Sequence, residues 1–447
     1  HAKPCHLKIP PGPWWRVLKT KSRQRGQVTK MQNIKPGLTL LSDALEIAFS
    51  EVPVAQHIEE RPLTDCYGAV LREDVMAGFS VPSVDNSAMD GYAVRFADLA
   101  AVDGTMPVVG TSLAGHPYSG TVPEGTAIRI ATGAAIPDGA DCVIIQENVI
   151  ADHDETGIEI AGDVIARTRL HQNIRWAGED IKKGDVVLRA GMVLRPQDIA
   201  IAAGQGRASL KVARPLRVAV FSTGDELAKP GDPLPPGGIY DSNRFAMIGM
   251  LRDIGCQVTD LGLLADDFDV LATAIGDAAQ NHDVVMTSGG VSVGKADLLK
   301  PVVDKLGEIT AWKLAIKPGK PLMRGRIGKC LVIGLPGNPV SVLVSGLLYV
   351  LPLLRHMMGA ERSWCEPVRI PVRAGFDFQR GTGRREWLRA RLIQTDDGEF
   401  EAVAFSSTSS GMLSSMVWAE GLIEIPENCG KLSKGDQVLY LPLRGLQ

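Results

Sequence analysis

Three times between residues 215 and 345 an unbroken apolar run ends in a turn built on glycine. RVAVF (217–221) runs into STGDEL, DVVM (283–286) into TSGGVSVG, and CLVIG (330–334) into LPGNPVS. Strands without polar alternation must be buried on both faces, which requires helices above and below a largely parallel sheet. Residues 215–363 are therefore expected to form a doubly wound α/β domain.

In such a sheet ligands bind beyond the carboxyl ends of the strands, where turns and helix N-termini present free N–H groups. All three glycine turns belong to that edge. Thr223, Ser288 and Ser292 supply hydroxyls, Gly224, Gly289, Gly290 and Gly294 allow close backbone approach, and Asp225, Glu226 and Asp297 supply carboxylates. Carboxylates alone repel a phosphate, so this mixture asks for an anionic ligand together with a hard cation such as Mg2+. One glycine turn by itself is better explained as a tight bend; three at one sheet edge point to a ligand.

Two further motifs fall in the same region. WKLAIKPGKP (312–321) concentrates Lys313, Lys317 and Lys320 in a loop stiffened by Pro318 and Pro321, although three solvated lysines would look the same in isolation. LPGNPVS sets Pro336 and Pro339 around a turn ahead of a helix. Pro339 suits the first helical turn and leaves the Val340 and Ser341 amides for a ligand, while a merely rigid helix start remains the alternative.

The rest of the chain divides by texture. Residues 40–52 place Leu41, Leu45, Ala48, Phe49 and Val52 at helical spacing, with Ser42 as the expected cap. Residues 85–174 read as a mostly β insertion within an elongated linking and dimerisation unit, 31–84 plus 175–214, whose second helix starts at Arg195-Pro196. Residues 364–447 carry short β-rich segments and predict a small barrel. The turn-rich SVDNSAMDGYAVR (83–95) and NIRWAGEDIKKGD (173–185) read as solvated turns to which spacing assigns no function.

Charge confirms what these units do not do. Residues 1–30 carry +8 without one acid, and removing them from the overall −3 leaves −11, so those thirty residues are read as an extension outside the fold and no nucleic-acid partner is expected. The seven cysteines include no C-x-x-C pair and the eight histidines have no metal-ligand spacing, which fits a reducing compartment and disfavours zinc chemistry. Residues 339–354 are apolar but too short to span a bilayer and contain Pro352, so a buried helix and no membrane partner are expected.

Seven blocks, SVDNSAMDGYAVR, ATGAAIPDGAD, NIRWAGED, FSTGDEL, SGGVSVGKAD, WKLAIKPGKP and GLPGNPVS, resemble in order the signatures of the MoeA and gephyrin E-domain family, over nearly all of residues 31–447. The resemblance implies a four-domain, L-shaped, cytoplasmic homodimer that inserts molybdenum. Its substrates would be molybdate and adenylylated molybdopterin, with AMP released and Mg2+ as cofactor, and a molybdopterin adenylyltransferase would be the pathway partner.

Carried onto matching positions, it implies that Asp90, Thr132, Arg175 and Asp180 reach the cleft from the opposite subunit. Glu226, Asp266, Ser288, Gly289, Gly290, Asp297, Lys313, Lys317, Pro336 and Pro339 would line the α/β side, beside the Thr223 hydroxyl already read from its turn as substrate-binding, with Arg389 and Ser410 added from the C-terminal domain. Asp90, Asp180, Glu226, Asp266 and Asp297 are the catalytic candidates, and Glu226, Asp266 and Asp297 the candidate metal ligands. Ser288, the glycine amides and Lys317 would hold the phosphate or pterin, and Lys313, Arg389 and Ser410 the molybdate. The block SSTSSGMLSSM (406–416) departs from the family's plain Gly-Ser. Two other readings are an adenylyltransferase, whose glycine loop usually reads SGGTG, and a receptor-anchoring scaffold, whose additional N-terminal domain and linker have no counterpart here.

Overall fold

The computed structural model describes residues 37–101, 104–291 and 298–443. The expected extension, residues 1–30, lies outside them, as do Ser292, Gly294 and Asp297.

A six-stranded sheet forms the α/β domain, in the order Gln257–Leu264, Arg217–Thr223, Val284–Ser288, Cys330–Leu335, Pro321–Ile327 and Glu308–Lys313. The first four strands are mutually parallel and the last two pair antiparallel. Alternate side chains of the central strands enter different cores. Val218, Val220, Val284, Met286, Leu331 and Ile333 pack with the helices Leu41–Glu51, Asn243–Asp253 and Pro339–Ser345. Ala219, Phe221, Val285 and Val332 pack with Phe268–Asn281 and Leu299–Leu306. Burial of both strand faces is the physical content of the apolar runs, and the doubly wound expectation is met.

One local expectation needs correction. Ser42 does not cap the first helix: it sits inside the first turn of Leu41–Glu51, and its hydroxyl donates to the Asp43 carboxylate at 3.2 Å. No helix follows the first glycine turn directly, because a Pro- and Gly-rich loop intervenes, pinned by the short parallel pairing of Leu227–Ala228 with Ile239–Tyr240, and the helix begins at Asn243. Pro230, Pro233, Pro235 and Pro236 in that loop cannot donate the N–H groups that a helix needs.

The apolar stretch after LPGN is a core helix. Pro339–Met357 is long and apolar enough to cross a membrane by composition, yet 72% of its most apolar window is buried inside the fold. Its middle, Gly346–Val350, widens into a π turn just ahead of Pro352, whose ring would clash with the carbonyl one tight turn earlier.

The linking unit pairs Ile58–Pro62 with Ser209–Ala213 and Val75–Met76 with Val186–Leu188, around Cys66, Leu71, Leu188, Leu194 and Val212. Pro196 leads its helix as expected, and Asp198 accepts from the Arg195 backbone N–H at 2.9 Å and from Nε at 2.8 Å. Asp198→Ala is expected to cost about 1 kcal/mol in urea denaturation, the ordinary effect of losing a helix-start carboxylate; an unchanged midpoint would contradict that role. Between the two halves of this unit lies a six-stranded β domain, with outer strands Cys142–Ile145 and Val149–Ala151.

The tail closes into a five-stranded barrel: Arg385–Gln394 pairs with both Phe400–Ala404 and Gly421–Ile425, and Ile370–Ala374 and Gln437–Pro442 complete the ring. Ile316–Lys317 of the α/β domain adds in parallel to Arg385–Glu386, so the lysine loop is fastened to the barrel.

Candidate active site

Register decides where the glycine turns lie. Thr223 is level with Leu264, Ser222 with Ser288, and Ser288 with Leu335, so four parallel strands end together at one rim. Beyond those ends come Gly224–Glu226, Asp266, Gly289-Gly290 and Pro336–Pro339.

Thr223 and Ser288 are nearly enclosed, at 4% and 2% exposure. Thr223 donates from Oγ1 to Asp266 at 3.3 Å, which joins two adjacent turns. The Glu226 side chain folds back over Gly224: a Cβ placed on that glycine would lie 2.8 Å from Glu226 Oε2. Gly289 and Gly290 adopt φ values of +90° and +66°, which side chains rarely tolerate, and the Gly289 N–H donates to the Leu335 carbonyl at 3.1 Å. Two acids, two hydroxyls and glycine backbone thus converge. Among the described residues no group of three or more His, Cys, Asp or Glu stands together for a metal, and the third acid expected here, Asp297, lies outside them.

The barrel contributes to the same rim. The Ser410 carbonyl accepts from the Val340 N–H at 3.1 Å, at the first turn of the helix behind LPGN. This corrects the expectation that the Val340 amide faces a ligand, since the serine loop already occupies it. Arg389 is 1% exposed and donates to the Ser415 hydroxyl (3.0 Å) and to the carbonyls of Ser407 (2.6 Å) and Ser409 (3.1 Å). Burial pulls its pKa below the usual arginine value, with Glu386 opposing. Its observed work is to shape the serine loop. Lys317 spans the seam between the units, its ammonium 2.7 Å from the buried Glu386 carboxylate, which also lies 3.6 Å from Arg380. Lys313 is half-buried at its strand end, where its carbonyl accepts from the Thr39 N–H at 3.2 Å.

The two polar segments left unassigned by spacing are joined in space. Arg175 pairs with Asn86, the Ala177 N–H donates to Asp85 at 2.8 Å, and the Asp180 N–H donates to the Val81 carbonyl at 3.1 Å. Asp90 accepts from the Thr132 N–H (2.7 Å) and hydroxyl (2.9 Å), and these two bonds, the backbone one first, hold its carboxyl below the usual range. Among the described residues no hydrogen bond or ion pair connects Asp90, Thr132, Arg175 or Asp180 to the α/β rim of the same chain.

A depressed carboxylate stabilises the folded chain above its unfolded-state pKa, and that contribution disappears as pH falls through the lower folded-state value. Thr132→Val removes the hydroxyl donor, so the Asp90 titration should move upward toward the ordinary carboxylate range. Carboxyl-carbon NMR of the variant checks this; an unmoved midpoint would rule out the hydroxyl's share.

The sequence did not single out the buried polar layer beneath the rim. Ser222, Asp241 and Arg244 are 0%, 1% and 5% exposed. Polar residues scattered over a strand, a loop and a helix start have no common periodicity by which to be found.

Comparison with known proteins gives a consistent result. Residues 39–206 match the family model of the MoeA N-terminal region (domains I and II), 219–356 one described as a "probable molybdopterin binding domain", and 371–443 the MoeA C-terminal region (domain IV). The chain is 39% identical over 406 residues to a molybdopterin molybdenumtransferase of Haemophilus influenzae, covering 91% of this chain and 99% of that one. It is 35% identical over 387 residues to molybdopterin molybdenumtransferase 2 of Mycobacterium tuberculosis, covering 84% and 93%. The crystal structure of the molybdopterin biosynthesis MoeA protein from Pyrococcus horikoshii superposes with a TM-score of 0.72 at 32% identity, over 91% of this chain and 100% of that one.

Proposed function

Because this chain belongs to the MoeA family, we propose that its rim is the site where molybdenum enters molybdopterin, with adenylylated molybdopterin and molybdate as substrates and AMP as a product. The chain is a molybdopterin molybdenumtransferase, an enzyme of molybdenum cofactor biosynthesis. The observation that carries the finer reading is the common end of four parallel strands, where hydroxyls, flexible backbone and carboxylates gather.

The roles follow from chemistry. Ser288 and the Gly290 amide bind phosphate oxygens, the Gly289 amide being already given to the Leu335 carbonyl, and the positive φ angles leave the backbone open to close approach. Glu226 and Asp266 would hold Mg2+ with Asp297; one or two carboxylates plus substrate phosphates are an ordinary magnesium environment. The ion, when bound, would neutralise phosphate charge that these acids otherwise repel. Lys313 and Lys317 supply cationic charge, and the paired Glu386 holds Lys317 at the seam. Arg389 acts on molybdate through the serine loop that it orders, with Ser410 at its tip. The dithiolene sulfurs belong to the substrate, so the buried Cys66, Cys142, Cys256, Cys330 and Cys365 have no part in the transfer. These free thiols suit a cytoplasmic protein.

Asp90, Thr132, Arg175 and Asp180 serve the cleft of a second copy. Supporting this, Met76 and Val186 are register partners exposed at 42% and 37%, with Phe79, Val84 and Trp176 also exposed nearby in the chain, an apolar face suited to a symmetric dimer. If the cleft is shared, mixing Asp90→Asn protomers with Asp266→Asn protomers restores about a quarter of wild-type activity, since half the dimers then hold one intact site in two. No recovery would place the whole site within one subunit.

AMP release from adenylylated molybdopterin should depend on both Mg2+ and molybdate. Net formation of the adenylylated pterin from molybdopterin and ATP, without molybdate, would instead mark an adenylyltransferase. That enzyme remains the expected pathway partner.

A further inference from the structure

Beneath the rim, one short segment is bonded on one side to the strand and loop around Thr223 and Glu226 and on the other to the LPGN turn. The Asp241 carboxylate accepts from the Ser222 hydroxyl at 3.0 Å, from the Arg244 N–H at 3.2 Å and from Arg244 Nε at 2.8 Å. Arg244 also donates to Asp260 of the neighbouring strand, the strand that leads to Asp266. The Asp241 N–H donates to the Ala228 carbonyl at 3.0 Å, and the Ile239 N–H to the Glu226 carbonyl at 2.8 Å. On the other side, Asn243 donates from Nδ2 to the Gly337 carbonyl at 2.7 Å, in the middle of LPGN.

These bonds have different characters. Asp241 and Arg244 form a charge pair shielded from solvent, with geometry good enough to resist distortion. Asn243 lies at the start of the helix Asn243–Asp253 and is only half-buried, so its amide is a strut from this rigid base to an otherwise exposed turn. A Cβ built on Gly337 would meet no heavy atom within 4 Å, and Gly337 and Asn338 at the tip of the turn are exposed. Among the described residues the strut is the side-chain bond that ties the exposed tip of LPGN to the base under the Thr223 and Glu226 turns.

We infer that Asn243, seated on the Asp241–Arg244 pair, is a positioning residue that holds the LPGN turn at a working distance from the acid-bearing turns of the same rim. This rests on the reading of the rim as the site of AMP release. Substrate contacts on either side survive loss of the strut, but their relative placement does not, and small misplacements are costly in rate when the groups that react must be aligned.

The test compares Asn243→Ala, Asn243→Asp and Asn243→Gln in the full chain, with AMP release measured against adenylylated molybdopterin concentration. In the alanine variant kcat should fall about tenfold, with KM moving less than about threefold. The aspartate variant has the same shape but offers an acceptor to an acceptor carbonyl and should lose at least as much; the glutamine variant keeps the donor and should recover part of the loss. All three should melt within about 2 °C of wild type, as half-exposed substitutions do. The inference is overturned by Asn243→Asp activity within twofold of wild type, by a loss carried by KM alone, or by activity that falls only in step with melting temperature. If the unmodified chain itself fails to release AMP, the reading of the rim fails instead, so the two failures are distinguishable.

Discussion

Asp266→Asn is expected to lower molybdate-dependent AMP release by about a hundredfold or more while leaving the melting temperature within about 2 °C of wild type. The separation of the two effects follows from geometry. Among the described residues the hydrogen bond that Asp266 makes is acceptance from the Thr223 hydroxyl at 3.3 Å, which an asparagine oxygen can also accept, though more weakly. What is lost is the negative charge, at the position proposed to meet the cation and the substrate phosphate. Initial rates at saturating substrate, paired with a thermal melt, make the measurement. A rate within about threefold of wild type would reduce Asp266 to a structural partner of Thr223.

Gly289→Ala is expected to cost about 2–4 kcal/mol and to remove most of the activity. Two penalties add. At φ +90° any Cβ is strained, and here it would also lie 2.8 Å from the Thr223 carbonyl oxygen, a backbone atom that can move only by shifting a central strand. Gly435 provides a matched control, since it has the same φ of +90° but open space around the Cβ position. Gly435→Ala should therefore cost only the conformational part, about 1 kcal/mol, and spare activity. Urea denaturation of both variants isolates the steric part as their difference; equal losses would show that the close approach to Thr223 has no energetic weight.

Much of the fold was legible because its signals are strong and local. Val284–Ser288 and Cys330–Leu335 are buried at every position, and a strand that is apolar on both faces is stable only where both are covered. Edge elements were less legible. Gln257–Leu264 carries exposed and half-buried residues in mixed order, since it meets the sheet on one side only, and no clear period marks it. Ser42 looked like a cap because capping residues are recognised by type, whereas the helix start was set by where Leu41 and Ala44 could be buried.

The site was legible in its chemistry and not in its assembly. Three glycine turns with hydroxyls and acids, all at the carboxyl edge of one sheet, point to an anion site where one alone would not. Arg389 illustrates the limit: an arginine in REWLRA reads as a free oxyanion fork, and the folded chain uses it to brace Ser407, Ser409 and Ser415. Likewise the Val340 amide, free by the logic of a helix start, is taken by a carbonyl seventy residues further along the chain.

What the sequence determined by itself is the kind and order of parts: a buried parallel sheet, its glycine turns, a β insertion, a terminal barrel, and the family to which the seven blocks belong. Burial pattern and turn chemistry are properties of neighbouring residues, so they can be read along the chain. The tertiary structure alone decided which parts meet, bringing Ser222 level with Ser288, Lys317 to Glu386, Ser410 to Val340 and Asn243 to Gly337. Those meetings depend on strand register and on domains docking across long separations, and a one-residue change in register would reverse the direction of every side chain without changing any local signal.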